Sequence, residues 1–188
     1  RSLVGSEMCI RDRFIPNHGV HYIIEAARIL RDEADIRFEL VGDGPEKALA
    51  MALVQKYGLS NVTFEGWMEQ EALVHRAASA DAILGAFGMT PQSLMTVQNK
   101  IYEGLAMAKP VITGDSPAVR KALNHGEHVY LCDRENPASL AEGIRILKEN
   151  KELYRQLGQN GHSVFVDKYS LDHIGQILRH HLTTLLSA

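Results

Sequence analysis

A cation and a carboxylate stand three residues apart in Asn99-Lys100-Ile101-Tyr102-Glu103-Gly104-Leu105-Ala106-Met107-Ala108-Lys109-Pro110, and the run Val111-Ile112-Thr113 follows directly. Ile101 and Leu105, four apart, mark the core face of a short helix. Lys109-Pro110 ends that helix, and Pro110 can open a buried strand. Asn99, Lys100 and Glu103 then sit at its first turn. A helix N-terminus offers free N–H groups and the positive end of a dipole, which suits a phosphate, and Lys100 adds a point charge. Glu103 would repel a phosphate, so its chemistry there is to accept hydrogen bonds from sugar hydroxyls. The set suits a ligand carrying both phosphate and ribose. The plain alternative is an exposed Lys100–Glu103 pair, worth roughly a few tenths of a kcal/mol.

Other residues could join such a site. Gly42-Asp43-Gly44-Pro45 lies between a strand pattern and a helix pattern and would let backbone approach a ligand. It lacks the third glycine of a dinucleotide fingerprint, and a tight β–α turn explains it equally. Arg13 and His18 flank a loop punctuated by Pro16 and Gly19 and could meet phosphate oxygens; simple solvation is the alternative. Trp67 and Met68 follow a strand end, where they could border a planar base or form a rim. His125 and His128 have no carboxylate or cysteine to complete a ligand set, and His180 and His181 face different sides of one helix, so no metal site is expected. Cys132 reads as a buried strand residue rather than a nucleophile. Gly-x-Ser-x-Gly, P-loop and paired-carboxylate signatures are absent.

These residues must be positioned by an alternating scaffold. Helical periodicity covers Val20 to Arg31, a segment from Pro45 to Tyr57, and Glu69 to Ala78 with Leu73, Val74 and Ala77 inward. Strand patterns cover Arg37 to Val41, Asn61 to Glu65, Ala82 to Phe87 and Val129 to Cys132, and residues 88–97 read as a loop. Ser116, Asn136 and Ser170 are expected helix caps. Helices are expected from Pro137 to Lys148, from Glu152 to Val166, and from Leu171 to Leu186, the last with Ile174, Ile177, Leu178, Leu182 and Leu185 inward. This order demands an α/β domain: a doubly wound parallel sheet of Rossmann type with extra C-terminal helices. Ligands of such sheets sit beyond the carboxyl ends of the strands, where the candidate residues fall.

The same order requires one more strand before Arg13, at the centre of the sheet. Residues 1–13 show neither alternation nor helical period; Met8-Cys9-Ile10 is the best candidate for the slot. The stretch resembles translated adapter sequence, so residues 1–13 are expected to be non-native or truncated, and the domain to span 14–188.

Composition narrows the class. The 188 residues are 45% hydrophobic and 23% charged, as in a soluble globular domain. Twenty Lys and Arg against 23 Asp and Glu give a net charge of −3, which argues against a nucleic-acid partner held by bulk charge. No apolar run approaches the ~20 residues of a membrane span, and no signal-peptide core is visible. Two cysteines, Cys9 and Cys132, make no disulfide framework and suit a reducing, cytoplasmic compartment.

Taken together, Ile36 to Pro45, Leu59 to Gly66, Asn99 to Asp115 and Asp133 to Ile144, with Phe14 to Gly19, resemble the C-terminal, donor-binding half of GT-B glycosyltransferases, group 1 (family 4). The resemblance runs from about 13 to 180. It implies a nucleotide-diphosphate sugar donor, transfer with retention of configuration, no obligatory metal or other cofactor, and a place in polysaccharide biosynthesis. Arg13 matches the first basic residue that meets the diphosphate, and His18 stands near where a lysine is common. Trp67 and Met68 match positions bordering the base. Glu103 matches the second of two glutamates and is expected on the ribose, while Met95 stands near where the first would be. Asn99-Lys100 resembles the Ser/Asn-Lys variant, and Ala108 replaces the usual glycine.

The resemblance also implies an N-terminal domain that binds a glycan or lipid-linked acceptor, supplies catalytic groups and contacts the last helix. That part could associate with a membrane, and a fragment lacking it is expected to be inactive. The alternatives are a GT-B sugar-nucleotide epimerase and a non-catalytic nucleotide-binding or assembly module.

Overall fold

The computed structural model describes residues 6–186, and within 6–12 the backbone together with the side chain of Met8 alone. Six strands form one parallel sheet: β1 Ser6–Asp12, β2 Ile36–Gly42, β3 Val62–Glu65, β4 Ala82–Leu84, β5 Val111–Gly114 and β6 Tyr130–Cys132, in the order β3-β2-β1-β4-β5-β6. The central slot is filled by all of Ser6–Asp12. Ser6 lies opposite Ile36 and Asp12 opposite Gly42, with Met8 opposite Ala82 on the other side.

Helices cover both faces: α1 Val20–Ile29, α2 Lys47–Tyr57, α3 Gln70–Ser79, α4 Pro91–Met95, α5 Asn99–Ala106, α6 Pro117–Ala122, α7 Pro137–Glu149, α8 Lys151–Lys168 and α9 Leu171–Leu186. On one face α1 packs against α2 and α7, burying Ile23, Ile24, Leu30, Phe38, Leu40 and Ile144. On the other, α5 packs against α8, and Ile83, Ile101, Leu105, Val111 and Val164 are buried in the same cluster. This is the doubly wound α/β architecture expected from the alternation. Three expected caps are formed. Ser116 Oγ accepts from Val119 N (3.2 Å), Asn136 Oδ1 from Ser139 N (3.1 Å) and Ser170 Oγ from His173 N (3.2 Å).

Several boundaries differ from the sequence reading. β4 stops at Leu84 instead of Phe87, although Gly85 and Ala86 still bond to β5 through Ile112 O (2.8 Å) and Gly114 N (3.0 Å). Beyond Gly85 the register is lost: Gly114 N bonds to Ala86 O, the Ala86 N–H donates to the Thr113 hydroxyl at 3.2 Å, and Phe87 N turns to His18 O. α2 begins at Lys47, leaving Pro45 in the preceding turn. Val74, expected inward on α3, is half exposed. Residues 88–97 are not wholly loop: Thr90 caps α4 through Ser93 N, with Pro91 at its first position. α9 forms as expected, but Ile174, Ile177, Leu178, Leu182 and Leu185 are all exposed, and no described residue of α9 is buried. An amphipathic pattern announces an apolar face without saying what covers it. Among the described residues no helix is long and apolar enough to cross a membrane.

Candidate donor-binding site

Chain progression runs outward from β1 to β2 and β3 on one side, and through β4, β5 and β6 on the other. The switch point of the sheet therefore lies between β1 and β4, where open α/β sheets place their ligands. Loop 13–19 after β1 and segment 85–98 after β4 border it.

Loop 13–19 is locked on both sides. Arg13 is exposed, and Phe14 behind it is fully buried with a left-handed backbone, φ 41°. The Phe14 ring lies 6.1 Å from that of Phe64, with Lys47 Nζ 5.7 Å from its centre. Phe14 O accepts from Glu46 N at 2.9 Å. The turn after β2 rests directly on this segment: a Cβ on Gly44 would lie 1.6 Å from Arg13 O, so only glycine permits the approach. Gly42 adopts φ 131°, and Asp43 Oδ1 accepts from Gly44 N at 2.8 Å. Across the switch point, Phe87 N donates to His18 O (3.0 Å), Thr90 Oγ1 donates to Asn17 Oδ1 (2.6 Å), and Asn17 Nδ2 donates to Gln92 Oε1 (2.7 Å). A Cβ on Gly88 would lie 2.1 Å from Pro16 O. His18 itself is half-buried.

The first turn of α5 follows α4 on this carboxyl edge. Asn99 is exposed, Glu103 is half-buried, and Lys100 is 6% exposed. That burial excludes the exposed Lys100–Glu103 surface pair. Gln98 occupies the N-cap position without capping through its side chain. Its Nε2 donates instead to Ser93 O (3.3 Å) and Thr96 O (3.2 Å). The α5 N-terminus thus keeps N–H groups that no N-cap side chain occupies.

The structure joins loops 13–19, 42–46 and 85–92 into one rim. Trp67 and Met68 do not belong to it. They follow β3, the outermost strand on that side, where Trp67 is 74% exposed and Met68 lines a shallow groove with Glu65, Ala72, His75, Arg76 and Ser79.

A residue with five hydrogen bonds at this edge escaped the sequence reading. Arg134, just after β6, is half-buried and donates to main-chain carbonyls of the β4 and β5 loops. Burial pushes its guanidinium pKa down, and the nearby Asp115 carboxylate opposes that. No motif marks such a residue, because its partners are main-chain atoms 19 to 46 residues away.

The histidines have structural work. His125 Nδ1 accepts from Leu131 N (2.9 Å) and His128 Nδ1 from Asn124 N (3.1 Å). Among the described residues no group of three His, Cys, Asp or Glu could hold a metal ion. Cys132 is buried in β6, and burial pushes its thiol up to about 12, so it is no nucleophile at neutral pH. The side chain of Cys9 lies outside the described residues.

The model of the family "Glycosyl transferases group 1" matches residues 7–164. The alpha-D-kanosaminyltransferase of Streptomyces kanamyceticus is 27% identical over 168 residues, which cover 88% of this chain and 42% of that protein. An uncharacterized glycosyltransferase of Methanocaldococcus jannaschii is 30% identical over 159 residues, 84% of this chain and again 42% of the relative. The chain thus spans about two fifths of the length of these curated relatives.

Among solved structures, Anabaena Alr3699/HepE in complex with UDP-glucose superposes with a TM-score of 0.82 at 18% identity, over 96% of this chain and 49% of the other. The C-terminal domain of the Francisella tularensis glycosyl transferase group 1 family protein LpcC gives 0.75 at 19% identity, over 88% and 87%. Its near-complete coverage identifies the fold as the C-terminal half of GT-B. The chain belongs to the glycosyl transferases group 1 family.

Proposed function

We propose that this chain is the donor-nucleotide domain of a retaining glycosyltransferase, which moves a sugar from a nucleotide-diphosphate donor to a glycan or lipid-linked acceptor. The observation that carries the reading is Lys100, buried on the first turn of a helix whose N-terminus has no side-chain cap, at the carboxyl edge of a doubly wound sheet. Leaving-group departure builds negative charge on the diphosphate. Preorganised donors lower that barrier without reorganising at the moment of reaction. In this reading Lys100, Asn99 and the α5 N–H groups hold the diphosphate from one side of the switch point, and Arg13, with His18, holds it from the other. Glu103 accepts from the ribose hydroxyls. Gly42, Asp43 and Gly44 face the donor, and a base that extends outward past that rim to the end of β3 meets Trp67 and Met68. The reading needs no metal.

The acceptor site and the remaining catalytic groups belong to the rest of the full-length protein, as the two-fifths coverage of the relatives suggests. The exposed apolar stripe of α9 is available to face that part. The 188 residues alone then bind a nucleotide diphosphate and transfer no sugar. Calorimetry with UDP and GDP tests the site. Binding of either, weakened in Lys100→Ala and Glu103→Ala, is expected; affinity unchanged in both variants removes the site.

A further inference from the structure

We propose that Arg134 is the positioning residue of this donor site: a planar clamp that fixes segment 88–98, and through it the first turn of α5, without itself touching the ligand. The proposal rests on the reading of the α5 N-terminus as the diphosphate site.

A guanidinium carries five N–H donors and no acceptor. In Arg134 all five are spent. Nε donates to Asp115 O (2.6 Å); one terminal nitrogen donates to Gly88 O (2.5 Å) and Ser93 Oγ (3.1 Å); the other donates to Ser93 O (3.3 Å) and Gly114 O (3.2 Å). The acceptors come from the loops after β4 and β5, while Arg134 follows β6, so one side chain ties three strand ends together. No N–H remains for a phosphate oxygen. This separates Arg134 from Arg13 and Lys100.

The clamp reaches α5 in two steps. Ser93 is fully buried; its N–H is held by Thr90 Oγ1 at 3.2 Å and its hydroxyl donates to Gly88 O. Ser93 O, which Arg134 grips, also accepts from Gln98 Nε2 (3.3 Å). Gln98 is the N-cap residue of α5, and its carbonyl accepts from Ile101 N (2.9 Å). The neighbouring residue adds a second hold: Glu135, at φ 55°, donates its N–H to Phe87 O (3.4 Å). The path for the side chain is kept open at Gly114, where a Cβ would lie 2.7 Å from Arg134 Cγ.

Lysine would keep the charge but has three donors on a flexible stem, so it cannot span these loops. Arg134→Lys therefore separates positioning from charge. The test titrates the wild-type chain, Arg134→Lys and Ser93→Ala with UDP and GDP by calorimetry, and follows amide exchange over 93–101.

The expected result for Arg134→Lys, measured where it is fully folded, is affinity about tenfold weaker, as small misplacements of a binding group cost, with faster exchange at Ile101 and its neighbours. Wild-type affinity in Arg134→Lys overturns the proposal. So does a lowered thermal midpoint with unchanged affinity, which would make the residue purely structural. If Arg134→Lys does not fold, Ser93→Ala decides: weaker binding with faster exchange supports the clamp, and no change in either overturns it. If the wild type binds neither nucleotide, the donor-site reading fails by itself. Exchange over 93–101 then decides the clamp, and unchanged exchange in Arg134→Lys refutes it.

Discussion

Gly158 of α8 lies directly against Ala108, the residue that closes α5: a Cβ on Gly158 would sit 2.7 Å from Ala108 O. Ala108 adopts φ 54°, with Ala108 N bonded to Leu105 O (3.0 Å) and Lys109 N to Gly104 O (3.0 Å), the paired bonds of a Schellman cap. A side chain at that position disfavours the left-handed backbone, whereas glycine carries no such penalty. Ala108→Gly is therefore expected to stabilise the domain by about 1 kcal/mol, read as a higher urea midpoint at unchanged slope. Gly158→Ala is expected to lower it, by roughly 1–3 kcal/mol for a methyl forced against backbone.

The Thr113 hydroxyl is fully buried and accepts the Ala86 N–H at 3.2 Å. Thr113→Val keeps the shape and orphans that donor. The expected cost is about 1–3 kcal/mol in chemical denaturation, the penalty for an unsatisfied buried amide. A Thr113→Val chain as stable as wild type would show that this bond carries no weight.

The pair Glu25–Tyr57 sets part of the acid limb. The Tyr57 hydroxyl donates to Glu25 Oε1 at 2.5 Å, and with Arg28 it holds the Glu25 carboxyl below its ordinary value of 4.5. A folded pKa below the unfolded one stabilises the fold above the unfolded pKa, and that stability is lost as pH falls through the folded pKa. Tyr57→Phe is expected to be less stable than wild type near neutrality, with the gap closing below about pH 4 as the carboxyl protonates in both states. Denaturation at a series of pH values checks this; a gap independent of pH would assign the effect to packing.

Cys132 should be silent to thiol reagents. Its burial and its thiol pKa of about 12 leave almost no thiolate at pH 8. In a Cys9→Ser background, labelling of the folded chain is expected to proceed only as fast as unfolding, and to completion in denaturant. Rapid labelling of the native chain would contradict the placement of β6.

α9 offers a contrast to the core helices. Leu178 and Leu182 are 58% and 51% exposed and contribute nothing to the described core. Replacing both with lysine is expected to leave the thermal midpoint where it is and to lower light scattering at high concentration. A large drop in midpoint would mean that this stripe is covered within the chain.

The element order was legible because alternating helical and strand periodicity leaves a doubly wound sheet as the natural arrangement. β1 was legible only as a demand of that topology. α4 was missed although Thr90-Pro91 carries a cap followed by a first-turn proline; five residues are too few for periodicity to register. The buried face of α5 followed from Ile101 and Leu105, but the burial of Lys100 depends on neighbours that no local pattern names. Arg134 was illegible for the same reason in stronger form: its partners are carbonyls of Gly88, Ser93, Gly114 and Asp115, and any sequence provides carbonyls.

At the α5 mouth, Lys100 for phosphate and Glu103 for ribose are separable roles, and one binding cycle separates them. UDP and 2′,3′-dideoxy-UDP are titrated into the wild-type chain and into Glu103→Ala. If Glu103 accepts from the ribose hydroxyls, Glu103→Ala weakens UDP and leaves dideoxy-UDP unchanged, so that the two deletions are strongly coupled. Equal weakening of both nucleotides, or none of either, would remove Glu103 from the ribose.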